Sequence, residues 1–161
     1  VNRALAAQVE RLVIGPVLAS LGAVEPRLDS LAARRLLLGT LAVETGGVWI
    51  QQNPGPALGW FQMEPATHDH LLARIWREEA FAGWMHGNFG RPFLGGAREM
   101  AGNAFYAAAL ARFYYWFDPA PLPDAGDLEG LAGYWKRRWN TRLGAGRADK
   151  FVRLLGPLIA A

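Results

Sequence analysis

Apolar residues recur along this chain at helical rather than strand spacing. Val9, Leu12 and Val13 mark one face of a first helix over 3–14, and Pro16 is placed to open a short second helix over 16–21. The clearest pattern is 36–43, apolar all round apart from Thr40, which predicts a buried central helix running from Ser30 to Thr45. Ser30 can cap its start and Gly46-Gly47 can end it. Residues 48–64 hold Asn53-Pro54-Gly55-Pro56 and Gly59, the chemistry of a loop or at most a short hairpin. Further helices are predicted over 65–79 and 97–117, separated by a glycine-rich, irregular connection over 83–96. Asp118 to Pro123 reads as a rigid spacer. Leu128, Leu131, Ala132, Trp135 and Trp139 form a sixth helical stripe, and a last helix passes through Phe151 to Leu155 after a turn at Gly144-Ala145-Gly146. No period-two run of β-branched residues appears, so the expected class is all-α.

Length and composition narrow this to a single domain, 1–161, with an ample core: 52% of residues are hydrophobic and only 19% charged. Cysteine is absent, which excludes disulfides and thiolate metal sites. The net charge of +3 is unevenly spread. Lys136, Arg137, Arg138, Arg142, Arg147, Lys150 and Arg153 crowd the C-terminal part, opposed locally only by Asp149, and suit a polyanionic partner. That stretch lacks the interleaved polar side chains of a base-reading helix, so nucleic acid is not the expected partner. Gly15-Pro16 interrupts the longest uncharged run near the start, 12–24, and no segment reaches the length of an apolar span, so no membrane span is expected. Glu10 and the helical spacing around it favour a buried helix over a signal-peptide core.

Two carboxylates stand out by position. Glu44 falls where the central helix should end, and Glu64, followed by Pro65, where the next should begin. A helix C-terminus is partially negative and an N-terminus partially positive, so the two acids are pushed toward opposite pKa shifts. Acid and base with pKa values driven apart is the requirement of glycoside cleavage. Ordinary solvated helix-end glutamates are the plain alternative for both. Trp60 and Gln62 in the intervening loop offer an aromatic face and an amide, which suit sugar C–H groups and hydroxyls. Trp49, Gln51 and Gln52 make the same case more weakly. His68, Asp69 and His70 invite a metal reading, but histidines two apart on a helix face different ways, so neither metal nor cofactor is expected. His68 could instead orient Glu64 from one turn away.

Glu44 at a helix end, then Gly59-Trp60-Phe61-Gln62, then Trp139-Asn140 close to Gly144 and Gly146, resembles the goose-type lysozyme and soluble lytic transglycosylase superfamily. The resemblance covers roughly 34–151. It departs at the third block, where Trp139 stands in place of the usual tyrosine and extra residues precede Gly144. It implies a lysozyme-like helical domain with its loop at the active-site cleft, cutting the β-1,4 bond between N-acetylmuramic acid and N-acetylglucosamine. Glu44 would be the general acid and Glu64 the candidate base. Trp49, Gln51, Trp60, Gln62, Tyr106, Trp139 and Asn140 would hold the glycan. The acid in Gln62-Met63-Glu64, with His68 beyond it, is similar to the hydrolytic branch. The carboxyls should then lie about 6.5–9.5 Å apart, with inversion as the outcome.

Two alternatives remain open: a lytic transglycosylase using Glu44 alone, and a non-catalytic phage structural or wall-binding protein of the same shape. The implied partner is the peptidoglycan glycan strand, met by a monomer. The protein would be carried on a phage virion or released through a holin.

Overall fold

The computed structural model describes residues 1–90, 96–140 and 146–160, and the protein is all-α. The helices are α1 (Arg3–Gly22), α2 (Leu31–Glu44), α3 (Pro65–Ile75), α4 (Glu79–Phe89), the single turn α5 (Glu99–Gly102), α6 (Ala104–Trp116), α7 (Leu128–Trp135) and α8 (Ala148–Ile159). Among the described residues there is no strand, only two isolated bridges in the loop after α2.

The centre is α2. Ser30 Oγ accepts the Ala33 N–H at 3.1 Å and fixes the start of the helix. Every residue from Leu36 to Val43 is buried, as the all-round apolar pattern predicts. Leu37 and Leu41 have no exposed surface; burying each stabilises the fold by about 1.5–3 kcal/mol. Thr40, the polar exception, donates to Leu36 O and meets the Tyr115 hydroxyl, both at 2.8 Å, so nothing polar is stranded there. Around α2 pack α6, α7, α8 and the middle of α1.

Closest approach is to α8, where the Phe151 ring lies on Gly39 and leaves no room for a Cβ. Adding one is overpacking, so Gly39→Ala is expected to cost about 1–3 kcal/mol despite alanine's better helix propensity. Urea unfolding measures this, and an unchanged midpoint would show that the Phe151 contact does not limit the packing.

Three expectations about the elements are corrected. Gly15-Pro16 does not break the first helix, because residues Glu10–Ile14 form a π turn in which the Gly15 N–H reaches back to Glu10 O. That wider turn accommodates the proline, which brings a ring and no N–H. The resulting helix, Arg3–Gly22, is long and apolar enough to cross a membrane by length and composition. In this fold its Ala6, Val9, Ile14, Val17, Leu18 and Leu21 are buried in the core.

Second, the glycine-rich region is helical through Phe89. Phe81, Trp84 and Met85 enter the core, while Gly83 and Gly87 have open space beside them. Burial outweighs the low helix propensity of two glycines, and Gly90, at φ +84°, provides the stop. The rest of that predicted connection, 91–95, lies outside the described residues, as do Arg142, Gly144 and Ala145. Third, the predicted helix over 97–117 is divided at Asn103, which is extended and accepts the Tyr106 N–H at 3.0 Å as the N-cap of α6.

Candidate active site

Glu44 is the last residue of α2 and Glu64 is the N-cap residue of α3. Between them the chain folds back on itself. Leu58 bridges antiparallel to both Gln51 and Met63, so Gly59-Trp60-Phe61-Gln62 is a tight turn between two bridged residues. Gly59 sits at φ +72° with Met100 O where a Cβ would be. Only glycine allows both that backbone conformation and that approach. Gln62 is left-handed as well, at φ +52°, a costly conformation for a residue with a side chain. Its Nε2 donates to Gly59 O at 2.7 Å and closes the turn.

Thr45, directly after Glu44, donates to Trp60 O at 2.8 Å and accepts the Gly47 N–H at 3.0 Å. The loop is thereby tied to the end of the acid-bearing helix. Nothing in the sequence pattern singles out Thr45 beyond its place at a helix end.

Both carboxylates line one open groove of about 820 Å³. Gln52, Gln62, Trp139, Asn140, Gly146, Arg147, Asp149, Lys150 and Arg153 share its walls. Trp139 is packed edge-on against Tyr114 and tilted over Tyr115, with ring centroids 5.0 and 5.2 Å away. Asn140 accepts from Lys136 Nζ at 2.7 Å and presses on Gly146, where a Cβ would stand 2.6 Å from the Trp135 ring. The third sequence block therefore reaches the groove through Trp139, Asn140 and Gly146.

The two acids sit in different surroundings. Burial pushes the Glu44 carboxyl up to about 7, and one of its oxygens is buried without a hydrogen-bond partner. Two groups pull the other way. The Trp135 indole N–H comes near enough to favour the ionised form, though not at hydrogen-bonding geometry. The Lys150 ammonium, which donates to Val43 O at 3.0 Å, adds a weaker opposing charge. Desolvation wins, so Glu44 keeps its proton into the neutral range. Glu64 is exposed, and its side chain makes no capping bond to α3.

Several expected site residues lie elsewhere. Tyr106 has no exposed surface; it is on the inner face of α6, and its hydroxyl meets His68 Nε2 at 2.7 Å. His68 is engaged there and with Asp69, at 2.7 Å, rather than with the Glu64 side chain. Trp49 is 66% exposed and Gln51 is also exposed, yet neither lines the groove. Of the three loop residues Trp49, Gln51 and Gln52, only Gln52 lines the groove. Trp60 is half-buried against the core and absent from the groove wall, because the turn is tight rather than extended. Among the described residues no group of three or more His, Asp or Glu side chains could hold a metal ion.

The basic C-terminal stretch is partly neutralised by the fold. Arg147 pairs with Asp149 at 2.9 Å, and Asp118 comes within 3.5 Å of Arg138. Lys150 and Arg153 still leave one wall of the groove positive. No family model, curated protein or solved structure matches the chain.

Proposed function

We propose that this protein is a muramidase of the lysozyme-like superfamily, cleaving the β-1,4 bond between N-acetylmuramic acid and N-acetylglucosamine. One observation carries the reading. A desolvated carboxyl with a pKa near 7, Glu44, shares an open polar groove with a second, solvated carboxylate, Glu64. Glu44 protonates the leaving glycosidic oxygen, and Glu64 activates a water on the opposite face of the sugar. Gln62 and Asn140 offer amides to the sugar hydroxyls, and Trp139 offers an aromatic face. The positive wall attracts anionic wall polymer, so affinity should fall as salt rises.

A lytic transglycosylase is the second reading. Glu64 favours it in one respect: no hydrogen bond to a described residue orients its carboxylate, whereas a base that aligns water is better held. In that reaction Glu44 acts first as acid and then as base, and the muramyl 6-hydroxyl attacks in place of water. Glu64→Gln separates the two. Under hydrolysis it should lower the rate on purified peptidoglycan by at least about a hundredfold and leave reducing ends as the product of what remains. Near-parental rates with 1,6-anhydro ends would assign the transglycosylase instead.

A further inference from the structure

A second cleft, of about 390 Å³, lies beyond the wall that carries Trp139. Thr67, His70, Arg74, Tyr114, Phe117 and Arg138 are among its lining residues, and none of its lining residues is acidic. We propose that this cleft is a subsite for the carboxylates of the acidic peptide borne by the muramyl sugar. The inference rests on the muramidase reading and extends it from the glycan to its substituent.

The Arg74 guanidinium is seated over the Phe117 ring at 4.2 Å and that of Arg138 over Tyr114 at 4.3 Å. Stacking of this kind holds the flat group in place while its N–H edge remains able to donate. Arg138 is partly committed, since its Nη2 donates to Tyr114 O at 3.2 Å and its Nε lies 3.5 Å from Asp118. Arg74 has no carboxylate within ion-pairing distance among the described residues, so it brings an unneutralised fork of donors. A neutral sugar does not call for two guanidinium groups on aromatic supports; a carboxylate does, and it takes them two bonds at a time.

Continuity with the glycan groove comes from shared elements. Arg138 immediately precedes Trp139, whose ring packs on Tyr114. Thr67 lies within the first turn of α3, the helix whose N-cap residue is Glu64. A glycan held along Glu64 and Trp139 would therefore have the second cleft beside it, at the reach of a substituent on the ring.

The test is calorimetric titration of the full chain with the soluble stem peptide L-Ala-γ-D-Glu-L-Lys-D-Ala, alongside the same peptide with its carboxylates amidated. The free-acid peptide should bind, and either amidation or Arg74→Gln should weaken binding by at least about tenfold. Arg74→Lys, which keeps the charge and loses the fork, should fall between. In parallel, the ratio of kcat/KM on peptide-bearing strands to that on amidase-stripped strands should drop in Arg74→Gln. No binding of the free-acid peptide, or equal affinities for acid, amide and variant, overturns the proposal even if the parent protein cleaves glycan normally. Absence of cleavage of any strand strikes the muramidase reading instead, and is read from turbidity rather than from the titration.

Discussion

Glu44→Gln should clear a suspension of purified peptidoglycan about a thousandfold more slowly than the parent, since a positioned general acid contributes about 10²–10⁴ in rate. The amide keeps the shape of the side chain and its place at the end of α2, so the loss isolates the proton. The mechanism also fixes the pH dependence. Glu44 must be protonated to deliver a proton to the leaving oxygen, and burial holds its pKa at about 7. Activity should therefore fall as pH rises through the neutral range, on a limb that is missing from the residual activity of the variant. Circular dichroism at matched pH confirms that the variant is folded. Equal clearing rates for parent and variant would instead point to a non-catalytic wall-binding or structural role.

The same substitution should stabilise the protein at alkaline pH. The Glu44 carboxyl has a pKa raised from 4.5 to about 7 on folding, so between those values the folded state holds a proton that the unfolded chain releases. Stability is then greatest below the unfolded value and declines as pH rises through the folded one. At about 1.4 kcal/mol for each pH unit, the full penalty is on the order of 3 kcal/mol. Glutamine carries no such penalty. Glu44→Gln should match the parent near pH 4.5 and exceed its Tm by roughly 6–12 °C at pH 8. Thermal melts across that range measure it, and parallel curves would mean that Glu44 is solvated in solution. Reduced activity with increased stability from one change is the signature of a group kept desolvated for its chemistry.

Much of the helical framework was legible because burial leaves a periodic trace. Leu36 to Val43 could be assigned to the centre, and Ser30 and the pair Gly46-Gly47 carry local chemistry that works over a few residues. The failures have the opposite cause. Whether Gly15-Pro16 ends a helix depends on whether a π turn can absorb it, and that is decided by what α1 packs against. Gly83 and Gly87 weaken a helix locally, yet Phe81, Trp84 and Met85 hold it from outside. Arg112 gave no signal either: it is buried, and donates to Leu28 O at 2.7 Å and Arg27 O at 3.0 Å across more than eighty residues of chain.

The site divides along the same line. Sequence alone was enough to put one glutamate at the end of a buried helix and another at the start of the next, with a glycine-led turn between them. Those are short-range facts, set by periodicity, caps and backbone preference. Only the tertiary structure could bring Trp135, Lys150 and Trp139 to Glu44, withdraw Tyr106 to His68, and turn Trp49 and Gln51 away from the groove. Proton affinity at Glu44 depends on how much water is excluded around it, and exclusion is made by side chains distant in the chain.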